Sequence, residues 1–530
     1  MRSVSLSRLA PAVVASLSLA ACFAVPAEEV QGGANLNERG PGLAEGEELL
    51  KGAMTVSPDG RWVVGQRADV TVLVDVAAKT TRELPLQTLR HAFGSDDIVY
   101  ATAAPVKTLW DGFGARTSAE PDRLVALDLA TGDVLWTSPV FSGETDVRQL
   151  QLSEDGSLLL AADAEALHVL DTATGTELRA VALAGPAEEL TILPTGDAAL
   201  VAETTQWIDG KPVTVVEQVD LVAGTSLRVD VPNCAAPIVL VPGASRALMS
   251  PTFCTPGADF VPTAGWTNPD PVSVLDLLPA GPSFVRNLPG FGPVLMADGG
   301  ATAVAFLDMQ RVDASLFDDP TQVPPADGPQ FYLMQIDPTT LAFELSTVGA
   351  HLPRFALAKD GKSLIVDATL VVRKGVLEAS ATVSIGPDGV SASASIFAGI
   401  IESRLLGIFD LASRTLTPFG GDFVSMSRFV QSAEGRVFSL FAHERGGVLF
   451  ELDRATMTTQ DLGLDVRDLN ILPDLQTLVL RFRLPPIQTN QLQEDFCFYS
   501  VAPFAELACA HYEQPAPPPG QNSNYFPCDP

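Results

Sequence analysis

A single unit recurs nine times along the chain, and any fold proposed for it has to accommodate that recurrence. The cleanest copy runs from Val147 to Leu183 and reads as four short strands. Leu150 and Leu152 alternate before a turn at Glu154-Asp155-Gly156. The apolar run Leu158 to Ala162 follows, then Leu167 to Leu170, and a second turn at Asp171-Thr172-Ala173-Thr174-Gly175 leads into Leu178 to Leu183. Period-two alternation cut by Asp-Gly and Thr-Gly turns predicts an antiparallel meander, because Gly takes the positive φ such turns need and Asp bonds its own backbone two residues on. One such sheet cannot bury both of its faces. It needs copies of itself on either side.

The copies share two punctuation marks. An apolar pair followed by an acid ends the third strand at Asp75, Asp128, Asp171, Asp220, Asp276, Asp337, Asp410 and Asp453, with Ser500 in the ninth place. The first two strands are parted by turns such as Ser57-Pro58-Asp59-Gly60, Lys359-Asp360-Gly361 and Pro473-Asp474. Repeated aspartates invite a catalytic or metal reading, but a position just before a turn has a simpler cause, the Asx turn that caps a strand end. From Ala53 to Ala510 the units average about 51 residues, longer than the usual propeller blade of roughly 40 to 45, so some carry insertions.

The stretch SPDGRWVVG at 57–65 resembles the strand-turn-strand signature of bacterial YVTN and WD40-like repeats, and ALDLATGDVLW at 126–136 resembles a PQQ-like repeat. The resemblance implies an all-β protein, a single β-propeller of four-stranded antiparallel blades over residues 53–510. Nine units exceed the usual four to eight blades, so eight or nine blades are expected, the second or ninth unit being the one to fall short.

Residues 1–21 carry Arg2 and Arg8 and an apolar core from Leu9 to Ala21, too short to span a bilayer, and are expected to be a secretory signal. The sequence Leu19-Ala20-Ala21-Cys22 resembles the lipobox of bacterial lipoproteins, which implies lipidation at Cys22 and a membrane partner through that lipid. Phe23, where an inner-membrane lipoprotein would carry Asp, implies the outer membrane. Residues 22–52 are rich in Gly, Glu and Asn, a flexible linker reaching about 30 Å, and residues 511–530 form a Pro-rich tail. The chain has 33 basic residues; losing Arg2 and Arg8 leaves 31 against 64 acidic ones, a net charge near -33. Such a surface repels nucleic acid and anionic lipid, so no nucleic-acid partner is expected. No later run approaches eighteen apolar residues, so the body is expected to be tethered, not embedded.

Long insertions all fall in the link between strands two and three: Pro105 to Pro121, Thr204 to Pro212, Cys254 to Pro271, Met309 to Gln330, Arg373 to Arg404 and Arg483 to Glu494. In a four-stranded meander this link lies on the face that also holds the connections between blades, opposite the Asp-Gly turns. Insertions confined to one face of a repeat array mark its binding surface. The aromatics Trp110, Phe113, Trp207, Phe260, Trp266 and Phe317 are the candidate anchors there. The largest insertion alternates from Val376 to Ile401 around a Gly-Pro-Asp-Gly turn, predicting an extra hairpin that either folds back over its own blade or offers an Ala/Ser-rich edge to a partner.

Beyond Cys22 five cysteines remain. Cys234 and Cys254 share the long-loop face and are expected to pair. Cys497 and Cys509 stand nearly opposite on the last hairpin, with Cys528 able to compete for either. No metal is expected at these spacings, and no cofactor. The five histidines are scattered, with no HExxH and no GxSxG, so no nucleophile and base stand out. The expected function is a lipid-anchored envelope module binding a protein partner through its long-loop face. The alternative is an enzyme at the ring mouth, a lactonase-like hydrolase or a quinone-dependent oxidoreductase. The second of these would need PQQ-type tryptophans where only Trp136 occurs.

Overall fold

The computed structural model of the chain describes residues 54–513 apart from 67–70, 85, 95–96, 106–122, 142–146, 209–210, 244, 252–270, 310–311, 326–327, 330, 350–353, 370–373, 387–388, 402–403, 420–427, 444–445 and 485–492. In the reference unit the strands are Gln149–Leu152, Leu158–Ala162, Ala166–Asp171 and Glu177–Ala182, and the middle pair runs from Leu158↔Asp171 to Ala162↔Leu167 without a slip. Leu159 and Ala161 pack with Leu124, Ala126 and Phe141 of the preceding unit, whereas Leu160 and Ala162 pack with Leu190, Ala199 and Val201 of the following one. That two-sided burial is why the second strand reads as an unbroken apolar run. The fourth strand, at the rim, is mostly exposed.

All nine units are such sheets, each made from consecutive strands, and together they form a nine-bladed β-propeller. The second unit (Leu86–Phe93, Ile98–Pro105, Arg123–Asp128, Val134–Thr137) and the ninth (Asp468–Ile471, Thr477–Leu484, Gln493–Ser500, Ala505–Glu513) are complete blades, so nine stands and eight is set aside. Blade four has a fifth strand, Gln206–Ile208, paired with the start of Lys211–Asp220, where the sequence predicts a plain loop. The hairpin of blade seven, Lys374–Gly386 with Gly389–Ile401, forms a separate two-stranded sheet. No other strand pairs with it among the described residues.

The repeated acids cap turns. Asp75, Asp128, Asp171, Asp220, Asp337, Asp410 and Asp453 each accept a backbone N–H two or three residues on. Asp276 instead accepts from Arg246 at 2.8 Å. The turns also join neighbours. Arg82 donates to Ala130, Trp136 donates through its indole N–H to Thr172 at 3.0 Å, and Arg179 donates to Leu221, each reaching from an outer strand to the next blade's turn. The turn glycine leaves room for this: at Gly175, φ +67°, an added Cβ would stand 2.5 Å from the Trp136 ring.

The ring closes by side chains, since blades one and nine share no strand. Met54 N–H donates to Asp468 at 2.7 Å and Asn470 Nδ2 donates to Met54 C=O at 3.2 Å. Val63, Val72 and Val74 pack with Phe496, Phe498 and Tyr512 across the same seam.

Candidate functional site

The two ends of the ring differ as the repeats predict. On one end every blade has a turn of a few residues between strands one and two and another between strands three and four. On the other end the links between strands two and three range from two residues, 444–445 in blade eight, to the stretch separating Thr369 from Arg404, and the connections between blades lie beside them. The first strand of blade one begins at this second end, and so does the chain that precedes it.

Beneath the long links lies a belt of buried polar side chains, at the ends of strands otherwise apolar. Asn233, Ser250, Ser273, Asp308 and Asp468 are all within 5% of full burial. Asn233 Nδ2 donates to Pro271 C=O and, at 3.1 Å, to Ser273, which donates to Asn287. In blade nine Arg481 and Glu494, 2% exposed each, form a forked ion pair at 2.8 and 2.9 Å. In blade four Glu203 and Glu217, 1% and 2% exposed, both accept from Ala184 N–H, at 2.8 and 3.0 Å. Their Oε2 atoms are enclosed and find no donor among the described residues. Burial pushes the Glu203 carboxyl up to about 7, and its hydrogen bond to Glu217 and that residue's charge push the same way. This belt is not apparent from motifs; its signal is a charged residue closing an apolar strand, as in Ala198–Glu203, where Glu203 follows AALVA.

Of the candidate anchors, Trp110, Phe113, Phe260 and Trp266 lie outside the described residues. Trp207 is half-buried on the extra strand of blade four, beside the exposed Ile208. Phe317 is 6% exposed, its ring 5.6 Å from Phe343 in the core between blades five and six, and Arg286 of blade five holds the same link through Leu316 C=O and Asp318. Phe317 roofs its own ring. Other exposed large apolar residues among those described, such as Leu135, Leu178 and Leu227, lie on outer strands.

Cys497 and Cys509 face each other in the ladder and are joined by a disulfide, Cα atoms 4.0 Å apart. With Glu506 they form a cluster of metal-type ligands, but both sulfurs are consumed in the bond. Cys234 is fully buried and also disulfide-bonded. Its partner is therefore a cysteine outside the described residues, where Cys22, Cys254 and Cys528 lie. His168 sits between Asp163 and Glu177 at 3.2 and 3.3 Å, edge-on to Phe141. His91 meets Thr55 at 2.9 Å, and burial holds its pKa down at about 4, so it is neutral; its Nδ1 finds no partner among the described residues. His511 pairs with Asp495 at 2.6 Å.

No protein-family model matches the chain, and no curated protein matches it. Three similar solved structures have titles that read "Structure of Dos1 propeller", "Dihydro-heme d1 dehydrogenase NirN in complex with DHE" and "Kuenenia stuttgartiensis Hydrazine Synthase". The Dos1 propeller is 11% identical over 72% of this chain and 87% of its own, with a TM-score of 0.39. The dehydrogenase is 11% identical over 89% of this chain and 79% of its own, at 0.45, and the hydrazine synthase 12% over 61% and 94%, at 0.36. At these identities and scores the likenesses carry no statement about activity or ligand.

Proposed function

We propose that this protein is a binding or scaffolding module of the bacterial cell envelope, anchored by a lipid at Cys22 on the outer membrane, with an envelope protein as its partner on the long-loop face. The observation that carries the binding face is the asymmetry of the ring: insertions of many lengths fall on one end, while the other repeats the same short capped turns. Uniform turns offer a partner little to distinguish. Varied loops offer it shape and chemistry. The anchor rests on the small residues before Cys22 and the apolar core that precedes them.

The test has two parts. Replacing Cys22 with Ser should leave the protein without lipid and move it out of the membrane fraction; a Cys22→Ser chain that still sediments with membranes and still carries lipid rules the anchor out. Crosslinking in intact cells should then capture a partner. Shortening the links at 105–121 and 254–271 should abolish capture, while altering Asp59-Gly60 and Asp360-Gly361 should not. The reverse pattern in folded protein would move the binding face to the opposite end.

A further inference from the structure

The hairpin Lys374–Gly386 and Gly389–Ile401 pairs in one unbroken register, from Lys374↔Ile401 to Gly386↔Gly389. That register sorts its sequence into two unlike faces. Leu377, Ala379, Ala381, Val383 and Ile385 share a face with their partners Ala398, Ile396, Ala394, Ala392 and Val390, with no polar residue among them. On the other face, toward the tip, Ser380, Thr382 and Ser384 stand opposite Ser395, Ser393 and Ser391, while nearer the blade Lys374, Val376 and Glu378 stand opposite Ile401, Gly399 and Phe397. Between Ala379 and Ile396 the only charged residue in the sequence is Asp388. A hairpin alone is marginal in water, and one with a continuous apolar face needs a cover.

We propose that this cover is a lipid surface: the hairpin lies flat in the membrane interface, apolar face to the lipid and Ser/Thr face to water. Two considerations favour lipid over a second copy of the chain. The apolar ladder is two strands wide and nine residues long, about 300 Å² from strand spacing and rise. A stable protein interface needs about 800 Å² per partner, so this face alone falls well short of a dimer contact. A membrane already held by an anchor sets no such threshold, because a second, weak contact is enough to make attachment firm. The second consideration is position. The hairpin rises from the same end of the ring at which the chain enters at Met54, so a lipid at Cys22, 32 residues upstream, would bring that end to the bilayer. Both considerations rest on the anchor proposed above; the register that sorts the two faces does not. The hairpin does not span: its two open edges would leave backbone N–H and C=O groups unpaired in hydrocarbon, whereas at the interface water reaches them.

The test places an environment-sensitive fluorophore on the full chain at Ala381→Cys or at Thr382→Cys, adjacent residues on opposite faces, with the unsubstituted chain as the blank. The protein is added to vesicles of zwitterionic phosphatidylethanolamine and phosphatidylcholine containing nitroxide-labelled lipid, so that the chain's negative charge is not repelled. The label at 381 should be quenched roughly twofold or more over that at 382. Equal quenching at both positions, or none at either, overturns the proposal whether or not the protein floats with the vesicles. A spectral shift at 381 that grows with protein concentration in the absence of vesicles also overturns it, because a second copy then covers the face. Flotation that persists after Cys22→Ser, with quenching confined to 381, supports the hairpin while striking only at the anchor.

Discussion

Glu203 and Glu217 approach each other diagonally across the second and third strands of blade four, and one backbone N–H, that of Ala184, serves both. With Glu203 raised from its usual 4.5 to about 7, the folded state holds a proton that the unfolded chain releases earlier. The stabilisation is therefore complete below about 4.5 and is lost as pH rises to about 7. Glu203→Gln, which is neutral at every pH, should remove this loss. The gap in stability between variant and wild type should widen by about 1–3 kcal/mol from pH 4.5 to 8. Denaturant melts of both proteins across that range check it, and parallel pH profiles would sink this account of Glu203.

A second expectation concerns a single turn position with two occupants. Gly175 and Arg414 both follow the capping acid by four residues, each donates its N–H to that acid's C=O, and each takes positive φ, +67° and +58°. Arg414 bears a Cβ in the left-handed region, which costs about 1–2 kcal/mol, and its ion pair with Glu344 is exposed and worth little. Arg414→Gly should therefore stabilise the protein by about 0.5–1 kcal/mol, part of the relief being offset by the freer unfolded chain. Gly175→Ala should destabilise it, because the new methyl would meet the Trp136 ring. Equal signs for the two substitutions in thermal melts would contradict this account.

These turns show how far the sequence can be read. The Asp-Gly and Thr-Gly signals act within a few residues, so the four strands of each blade, their order and the sidedness of the long links are legible in the amino-acid sequence itself. Lys79, Leu341, Arg414 and Met457 occupy positive φ without being glycine, and there the local signal is silent while the flanking acid still marks the turn. The buried belt is not legible in this way. Glu203, Glu217, Arg481 and Glu494 look like ordinary surface charges until neighbouring strands bring them together, and that pairing depends on contacts between residues up to 14 apart in sequence. Phe317 departs from its expected place for a related reason: an aromatic in a long link looks available, and only the fold shows the link bent down onto Phe343.

The Arg481–Glu494 pair sets a third expectation. Removing one partner of a buried ion pair strands the other charge, at about 3–5 kcal/mol, whereas replacing both with apolar groups can cost far less. Arg481→Met should be strongly destabilising, and Arg481→Met with Glu494→Leu should recover much of the loss. A double-mutant cycle by chemical denaturation measures the coupling. Additive losses would show that the pair is not the unit that matters.

The seam between blades one and nine gives the last expectation. Within a blade, backbone ladders hold the strands, whereas across the seam Met54 meets the Asp468 carboxylate and the Asn470 amide, with Val63, Val72, Phe496 and Phe498 packed beside them. Asp468→Ala leaves the Met54 N–H buried without that acceptor, a cost of about 1–3 kcal/mol. Because no strand is shared across the seam, the loss should fall on local opening there and not on the ring as a whole. Hydrogen exchange of Asp468→Ala should therefore quicken in Met54–Val56 and Asp468–Ile471 and stay unchanged in blades three to five. Uniform acceleration around the ring would mean that the blades unfold as one unit and that the seam is no weaker than any other joint.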